Sequence, residues 1–219
     1  MQPHASDEEN MAEAYKTLRL ENRRQAIIAS ARRLFTEQGF ERTTLGCIVD
    51  HVGGSLTTIY KLFGNKDGLL EAVVFESAAS GEAFIRDVEA GEAPPHEILQ
   101  RIAQGLHAQF LDPEMVALVR IVMARSISDP HFARRFFERT ATRTQDALHL
   151  MFENWQMRGI PMDGSPDFLA GMFMGFIVSD LQTEAISHGV GINHTPKRLR
   201  DRTNFFIQAA GIPANYDND

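Results

Sequence analysis

Between Arg42 and Lys66 the chain gathers side chains suited to holding a polyanion. Arg42, Lys61 and Lys66 are cationic, Thr44, Ser55, Thr57 and Thr58 carry short hydroxyls, and Tyr60 carries a phenol. Ser55, Thr57, Thr58, Tyr60 and Lys61 fall at or near the start of one predicted helix. Their short polar side chains would let that helix approach a DNA groove and bond phosphates or base edges. Lys66 falls at the start of the next predicted helix, where free N–H groups and positive charge favour a phosphate. Arg42 and Lys61 are candidates on charge and position. Thr43, Thr44 and Ser55 also have a purely structural reading as helix caps, and Tyr60 as a packing residue.

The net charge of −7 argues against a nucleic-acid partner only until it is divided along the chain. Residues 1–15 hold four acids and no Lys or Arg, residues 16–66 hold nine Lys and Arg against four acids, and residues 67–219 hold thirteen against twenty-one. The positive excess coincides with the hydroxyl-rich stretch. A composition of 43 % hydrophobic and 23 % charged residues is that of a soluble globular chain, and 219 residues suffice to bury a core. The single cysteine, Cys47, excludes an internal disulfide. The start "MQPHASDEEN" has no basic and apolar regions of a signal peptide. The most apolar run, residues 168–178, is too short to span a bilayer. A cytoplasmic protein without membrane partners is expected.

The elements that must position these side chains read as helices. Residues 1–15 are polar and acidic and read as a disordered tail. "RRQAIIASARRLFTEQG" places Ile27, Ala31, Leu34 and Phe35 on one face and stops at Gly39. Thr43 and Thr44 offer an N-cap for "LGCIVDHV", and Gly53-Gly54 ends it. Ser55 can cap "LTTIYKLF", which stops at Gly64-Asn65, and a fourth helix starts near Lys66. Ile48, Val52 and Ile59 are apolar where these short helices must pack, and Gly53 supplies the positive φ of a sharp turn. That is a helix-turn-helix. Beyond it, Gly91 and Pro94-Pro95 break the chain, and five more helical segments follow, one of them running from Phe132 to Trp155 without a break. The reading is all-α with about nine helices: a helix-turn-helix domain over 16–66, and a helical domain over 67–219.

The stretch "ASARRLFTEQGFERTTLGCIVDHVGGSLTTIYKLFGNKDGLLEAV" resembles the DNA-binding domain of the TetR family of bacterial regulators. The resemblance rests on Ala31, Leu34-Phe35, Gly39-Phe40, Thr44, Ile48, Gly53, Ser55, Thr58-Ile59-Tyr60, Phe63, Lys66 and Leu69 at fixed spacing, over roughly residues 23–75. It implies that Thr44, Ser55, Thr58, Tyr60 and Lys66 contact phosphate and that Thr57 lies near base edges. The chain departs from the family pattern at Val49, Gly54, Thr57 and Leu62. Gly54 is expected to loosen the turn, and Thr57 to alter the bases read.

The resemblance also implies that the C-terminal part is a ligand-binding and dimerisation domain, and the segments around 116–139 and 168–181 resemble, more weakly, an AefR-like C-terminal class. A pocket is expected among the middle helices. Its candidate lining is Phe75, Ile102, Leu106, Phe110 and Met123, then Phe137, Phe152, Trp155, Phe173 and Phe176, with His107 and His149 as polar contacts. Such a lining suits a small apolar or aromatic effector, although an ordinary core is a competing reading of each aromatic. Gly171, Gly175 and Ser179 recur every four residues and permit close helix approach. With Phe206 they are the candidate interface of a homodimer, which would carry two recognition helices into major grooves roughly 34 Å apart on a palindromic operator in double-stranded DNA.

The histidines show no HExxH, and His188 and His194 straddle a loop and read as solvated. No metal site and no cofactor are expected. Cys47 reads as buried, beside Ile48. GxSxG, Walker A and GxGxxG sequences are absent, so no enzyme is expected. The function that fits is a ligand-responsive, DNA-binding repressor. The alternatives are a helical protein-interaction module without DNA binding and a helical-bundle enzyme.

Overall fold

Capping chemistry sets the helix boundaries. The computed structural model of the protein describes residues 5–138, 142–190 and 194–213. The first helix, α1 (Ala5–Gln38), contains neither Gly nor Pro and is rich in Ala, Glu, Arg and Leu, which favour helix. It therefore starts within the segment expected to be a tail, and residues 5–15 are helical. It ends at Gly39, whose φ of +86° an L side chain would resist. Thr44 accepts from the Cys47 N–H to open α2 (Leu45–Val52). Ser55 accepts from the Thr58 N–H to open α3 (Leu56–Phe63). The side-chain oxygen of Asn65 accepts from the Gly68 N–H at the start of α4 (Lys66–Glu89).

The later helices begin with Pro at the first or second position: α5 (Pro95–Phe110), α6 (Pro113–Ser128), α7 (Pro130–Phe136), α9 (Pro166–Ser187) and α10 (Pro196–Ala209). Proline there gives up an N–H that has no partner within the helix. Asp112, Asp129, Ser165 and Thr195 cap four of these starts. Between α7 and α9 lies α8 (Arg143–Met157). The described residues thus form ten α-helices and no strand. The tenth arises because the segment from Phe132 to Trp155 is two helices and not one. Contacts divide the chain into two units, Met1–Val73 and Val74–Asp219, so the division falls inside α4 and not at residue 66.

In the first unit α1 packs on α2, and α2 on α3. Ile27, Ile28, Ala31 and Phe35 of α1 are buried together with Ile48, Ile59, Leu69 and Leu70. Full burial of each large aliphatic side chain contributes about 1.5–3 kcal/mol. The second unit has a larger core, in which Leu99, Ile102 and Leu106 of α5 meet Leu148, Phe152 and Trp155 of α8, Leu169 and Phe173 of α9, and Phe206 of α10. Phe206 stacks edge-on against Phe173, with centroids 5.2 Å apart.

One charge sits at the edge of that core. Asp180 of α9 is 3 % exposed. Its Oδ1 accepts from Arg198 at 3.0 Å and Arg202 at 2.7 Å, and its Oδ2 accepts from Arg198 at 3.0 Å. Arg202 also donates to the Phe176 carbonyl, 2.8 Å away, so α10 is tied to α9 by charge as well as by packing. Burial pushes the Asp180 carboxyl up, but hydrogen bonds and charge from Arg198 and Arg202 outweigh it and hold the group below its ordinary value of 3.8. A carboxyl depressed in the folded state adds stability that is complete above the unfolded value and is lost as pH falls through the folded one. Asp180→Asn is expected to cost about 2–3 kcal/mol at neutral pH, below the range for a fully buried pair because Arg198 keeps 42 % of its side chain exposed. The gap between wild type and variant should narrow progressively in urea melts as the pH is taken below 3.8, and a gap independent of pH would contradict this account.

Candidate nucleic-acid interface

Two capped helices and the turn between them build the surface. Gly53 and Gly54 both have positive φ, +72° and +93°. The Arg23 side chain of α1 reaches across to this turn and donates to the carbonyls of Val52, at 2.8 Å, and Gly53. A Cβ on residue 54 would collide with the Arg23 guanidinium. The glycine that departs from the family pattern is therefore what admits Arg23, and the turn is pinned by it and not loosened.

Thr43, which is fully buried, ties the approach to α2 onto the end of α1. Its hydroxyl lies 2.9 Å from the Gly39 carbonyl and 3.2 Å from the Leu34 carbonyl, and it accepts from Gln38 at 3.2 Å. Thr44, the actual cap, remains exposed. On α3, Thr57, Tyr60 and Lys61 are exposed, Tyr60 by 54 %, while Ile59 between them is buried. Ser55 and Thr58 share a hydroxyl–hydroxyl hydrogen bond of 3.1 Å while Ser55 also caps the helix. Arg42 is exposed and donates to the Gln38 carbonyl at 2.7 Å. Thr44, Ser55, Thr57, Tyr60 and Lys61 thus stand on the outer side of the α2–α3 pair, and the capping and contact readings of Thr44 and Ser55 are compatible.

Lys66 differs from its expected role. Its ammonium donates to the carbonyls of Phe40, at 2.9 Å, and Thr43, at 3.1 Å, and lies 4.2 Å from the centroid of the Phe40 ring. It is half-buried and staples the start of α4 to the α1–α2 junction, with one N–H left over for an anion. Cys47 is exposed and not buried. Its thiol is lowered below the ordinary value first by the hydrogen bond from the Thr44 hydroxyl, at 3.1 Å. On so short a helix Ile48 faces inward, and the residue before it faces out.

The residues expected to line a pocket divide into two groups. Ile102, Leu106, Phe152, Trp155 and Phe173 are fully buried and packed on one another, with Phe110 and Phe176 partly buried against them. Trp155 keeps its indole N–H buried without a hydrogen-bond partner. Met123 instead packs by α6 and the end of α9, against Val116 and Leu181. Phe137 is turned outward, 59 % exposed, and Phe75 is 37 % exposed, under the Arg143 guanidinium at 4.4 Å. His149 is half-buried, and its Nδ1 has no partner. A separate polar cleft of about 330 Å³ opens between α4 and α8, lined by Glu82, Arg86, Arg143 and Asp146 among others.

Of the expected interface residues, Gly175 and Ser179 are exposed on α9, and a Cβ on Gly175 would meet nothing within 4 Å. Gly171 is half-buried. Phe206 is a correction: it lies on the inward face of α10 with Leu199, Thr203 and Ile207, and its neighbour Phe205 is the exposed one, at 75 %. Phe168 and Met172 of α9 are also exposed, by 57 % and 54 %. Sequence spacing did not reveal these apolar residues as a surface, because only the packing of α9 on α8 shows which side is left over.

His194 is likewise not solvated. It is half-buried, its Nε2 lies 3.1 Å from Glu184 Oε2, and its ring meets that of His107. His188 is exposed, in a left-handed conformation that ends α9. Burial lowers the His107 imidazole below its ordinary value, against the opposing pull of Asp180, so the ring is neutral at pH 7. No helix among the described residues is long and apolar enough to cross a membrane.

Comparison with known proteins agrees with this division. The model of bacterial regulatory proteins of the tetR family matches residues 27–73. The model of the AefR-like transcriptional repressor C-terminal domain matches residues 97–204. The HTH-type transcriptional repressor AcnR of Corynebacterium glutamicum is 28 % identical over 190 residues, which cover 82 % of this chain and 95 % of AcnR. The crystal structure of a putative TetR-family regulator from Mesorhizobium loti superposes with a TM-score of 0.73 at 22 % identity, over 87 % of this chain and 96 % of that one. The solved structure of the flavonoid-responsive regulator FrrA superposes with a TM-score of 0.63 at 24 % identity, over 89 % of this chain and 100 % of that one. The two family models together fall on both units, and the chain belongs to the TetR family of transcriptional regulators, with a helix-turn-helix DNA-binding domain at its N-terminal end.

Proposed function

We propose that the protein is a ligand-responsive repressor that binds a palindromic operator as a homodimer and is released by a small apolar or aromatic effector. The observation that carries the DNA half is the exposed set on α2 and α3, held by caps on one side and by the Arg23 and Lys66 staples on the other. Thr44, Ser55, Thr58 and the α2 and α3 N-termini serve phosphates, Tyr60, Lys61 and Arg42 extend that contact, and Thr57 faces base edges.

The dimer half rests on α9 and α10. Phe168, Met172 and Phe205 are apolar and exposed, and Gly175 and Ser179 are exposed on the same face of α9 as Phe168 and Met172. A second copy placed about a two-fold axis covers both. The effector reading rests on the aromatic core of the C-terminal unit. Those side chains are packed closely, so an effector enters by parting α5, α8 and α9. The unpartnered Trp155 N–H offers a donor to an acceptor atom on it. FrrA is described as flavonoid-responsive, which suits an aromatic effector here. The effector acts by preferring one position of α4, the helix in which the two units join, over another.

Three outcomes test this reading. Tyr60→Ala should weaken binding to a duplex from the protein's own promoter region by about 5- to 150-fold, as expected for one contact worth about 1–3 kcal/mol, with an unchanged melting temperature. Unaltered affinity in gel-shift titrations would remove Tyr60 from the interface, and failure of the wild type to bind any such duplex at low salt would remove the DNA reading. Lys66→Ala should behave differently, losing about 1.5–3 kcal/mol of fold stability along with DNA affinity, because it breaks charged hydrogen bonds to two carbonyls. Normal stability in that variant would show that the staple is not structural. Met172→Glu combined with Phe205→Glu should give a soluble, folded monomer by light scattering, and a persistent dimer would place the interface elsewhere.

A further inference from the structure

Histidines that lie far apart in the sequence meet in the C-terminal unit. His107 of α5, Asp180 of α9 and His194, just ahead of α10, each place one ligand atom within 4.8 Å of the others. His107 Nε2 lies 3.4 Å from Asp180 Oδ2. His194 Nε2 lies 3.1 Å from Oε2 of Glu184, which stands four residues beyond Asp180 and so on the same side of α9. The two imidazole rings meet edge to face with centroids 5.9 Å apart. We propose that His107, Asp180 and His194, with Glu184 completing the set, form a binding site for a divalent transition-metal ion of the zinc class.

The donor set suits such an ion. Two imidazole nitrogens and two carboxylate oxygens are the ligands of zinc and its first-row neighbours, and calcium or magnesium would select oxygen alone. Ligands 2.0–2.1 Å from a tetrahedral ion stand about 3.3 Å from one another. The His107–Asp180 and His194–Glu184 pairs are already at 3.4 and 3.1 Å. The ligand atoms of His107, Asp180 and His194 already lie within 4.8 Å of one another, so loading needs these to tighten and the Glu184 carboxylate to close on them, and His194 lies outside the helices.

Ion pairing by itself does not require this cluster. Arg198 and Arg202 already balance the charge of Asp180. Two imidazoles nevertheless converge with it, their ligand atoms all within 4.8 Å of one another, and both rings are largely withdrawn from water. The arginines fix the orientation of the Asp180 carboxylate, Arg198 through both oxygens and Arg202 through Oδ1, as outer-shell partners of a metal ligand do. Their positive charge also weakens the hold on a cation, so the ion exchanges and is not locked in. A bound ion would join α5 and α9 to the entrance of α10, three elements of the effector and dimer domain.

The test uses untagged full-length protein, stripped with a chelator, dialysed, and titrated with Co2+ as a visible-absorbing stand-in and then with Zn2+. One equivalent of Co2+ per chain is expected, with d–d absorption that Zn2+ abolishes. His107→Gln and His194→Gln should each weaken binding at least tenfold while keeping the helical circular dichroism of the wild type. Should His107→Gln fail to fold, His194→Gln, at a partly exposed ring, decides the matter alone. No uptake by the stripped wild type would overturn the proposal. So would uptake of undiminished stoichiometry and affinity in the His194 variant, which would mark a surface histidine as the ligand. The readout involves no DNA, so the result is separate from that of the operator experiments.

Discussion

Helices of eight residues do not persist by themselves, and both α2 and α3 are that short. Their exposed side chains can form a fixed surface only if something outside them satisfies the carbonyls and N–H groups at their ends. Here those partners come from the flanking long helices. Arg23 of α1 takes the carbonyls at the end of α2, Lys66 of α4 takes those just before it, and Thr43 bridges the close of α1. Thr44 and Ser55 satisfy the N-termini from within. Everything asked of the outward face of α3 depends on this frame of charged and hydroxyl donors around main-chain groups.

That frame changes the meaning of two residues. Gly54 looks like a weak point in the turn until the Arg23 guanidinium is seen to occupy the space a side chain would need. Lys66 looks like a free phosphate ligand until its ammonium is found over the Phe40 ring and on two carbonyls. In both cases a long cationic side chain is spent on the backbone, and the local positive charge is less available to DNA than a count of Lys and Arg suggests. Thr57, Tyr60 and Lys61 keep their freedom.

The C-terminal unit is organised around the opposite problem, a charge beside an aromatic core. Phe152, Trp155, Phe173 and Phe206 fill the space between α8, α9 and α10. Next to them Asp180 holds two arginines and faces an imidazole. Packing sets how close these helices lie, and the polar cluster restricts how they can slide. An effector in the core and an ion at the cluster would act on the same helices by different chemistry.

The sequence alone determined the all-α class, the helix-turn-helix and its capping residues, because these depend on periodicity and on neighbours within a few positions. It also determined that the positive charge lies in residues 16–66. Tertiary structure decided which of those residues are free. Lys66, Arg23 and Gly54 meet partners more than twenty residues away, and no local pattern records such a pairing. The same limit put Phe206 at an interface when its helix face is turned inward, and Cys47 in a core when it faces out. It also hid the meeting of His107, Asp180 and His194, since ligand spacing is legible only when the ligands share a helix or a loop, and these three are brought together by the packing of α5, α9 and α10.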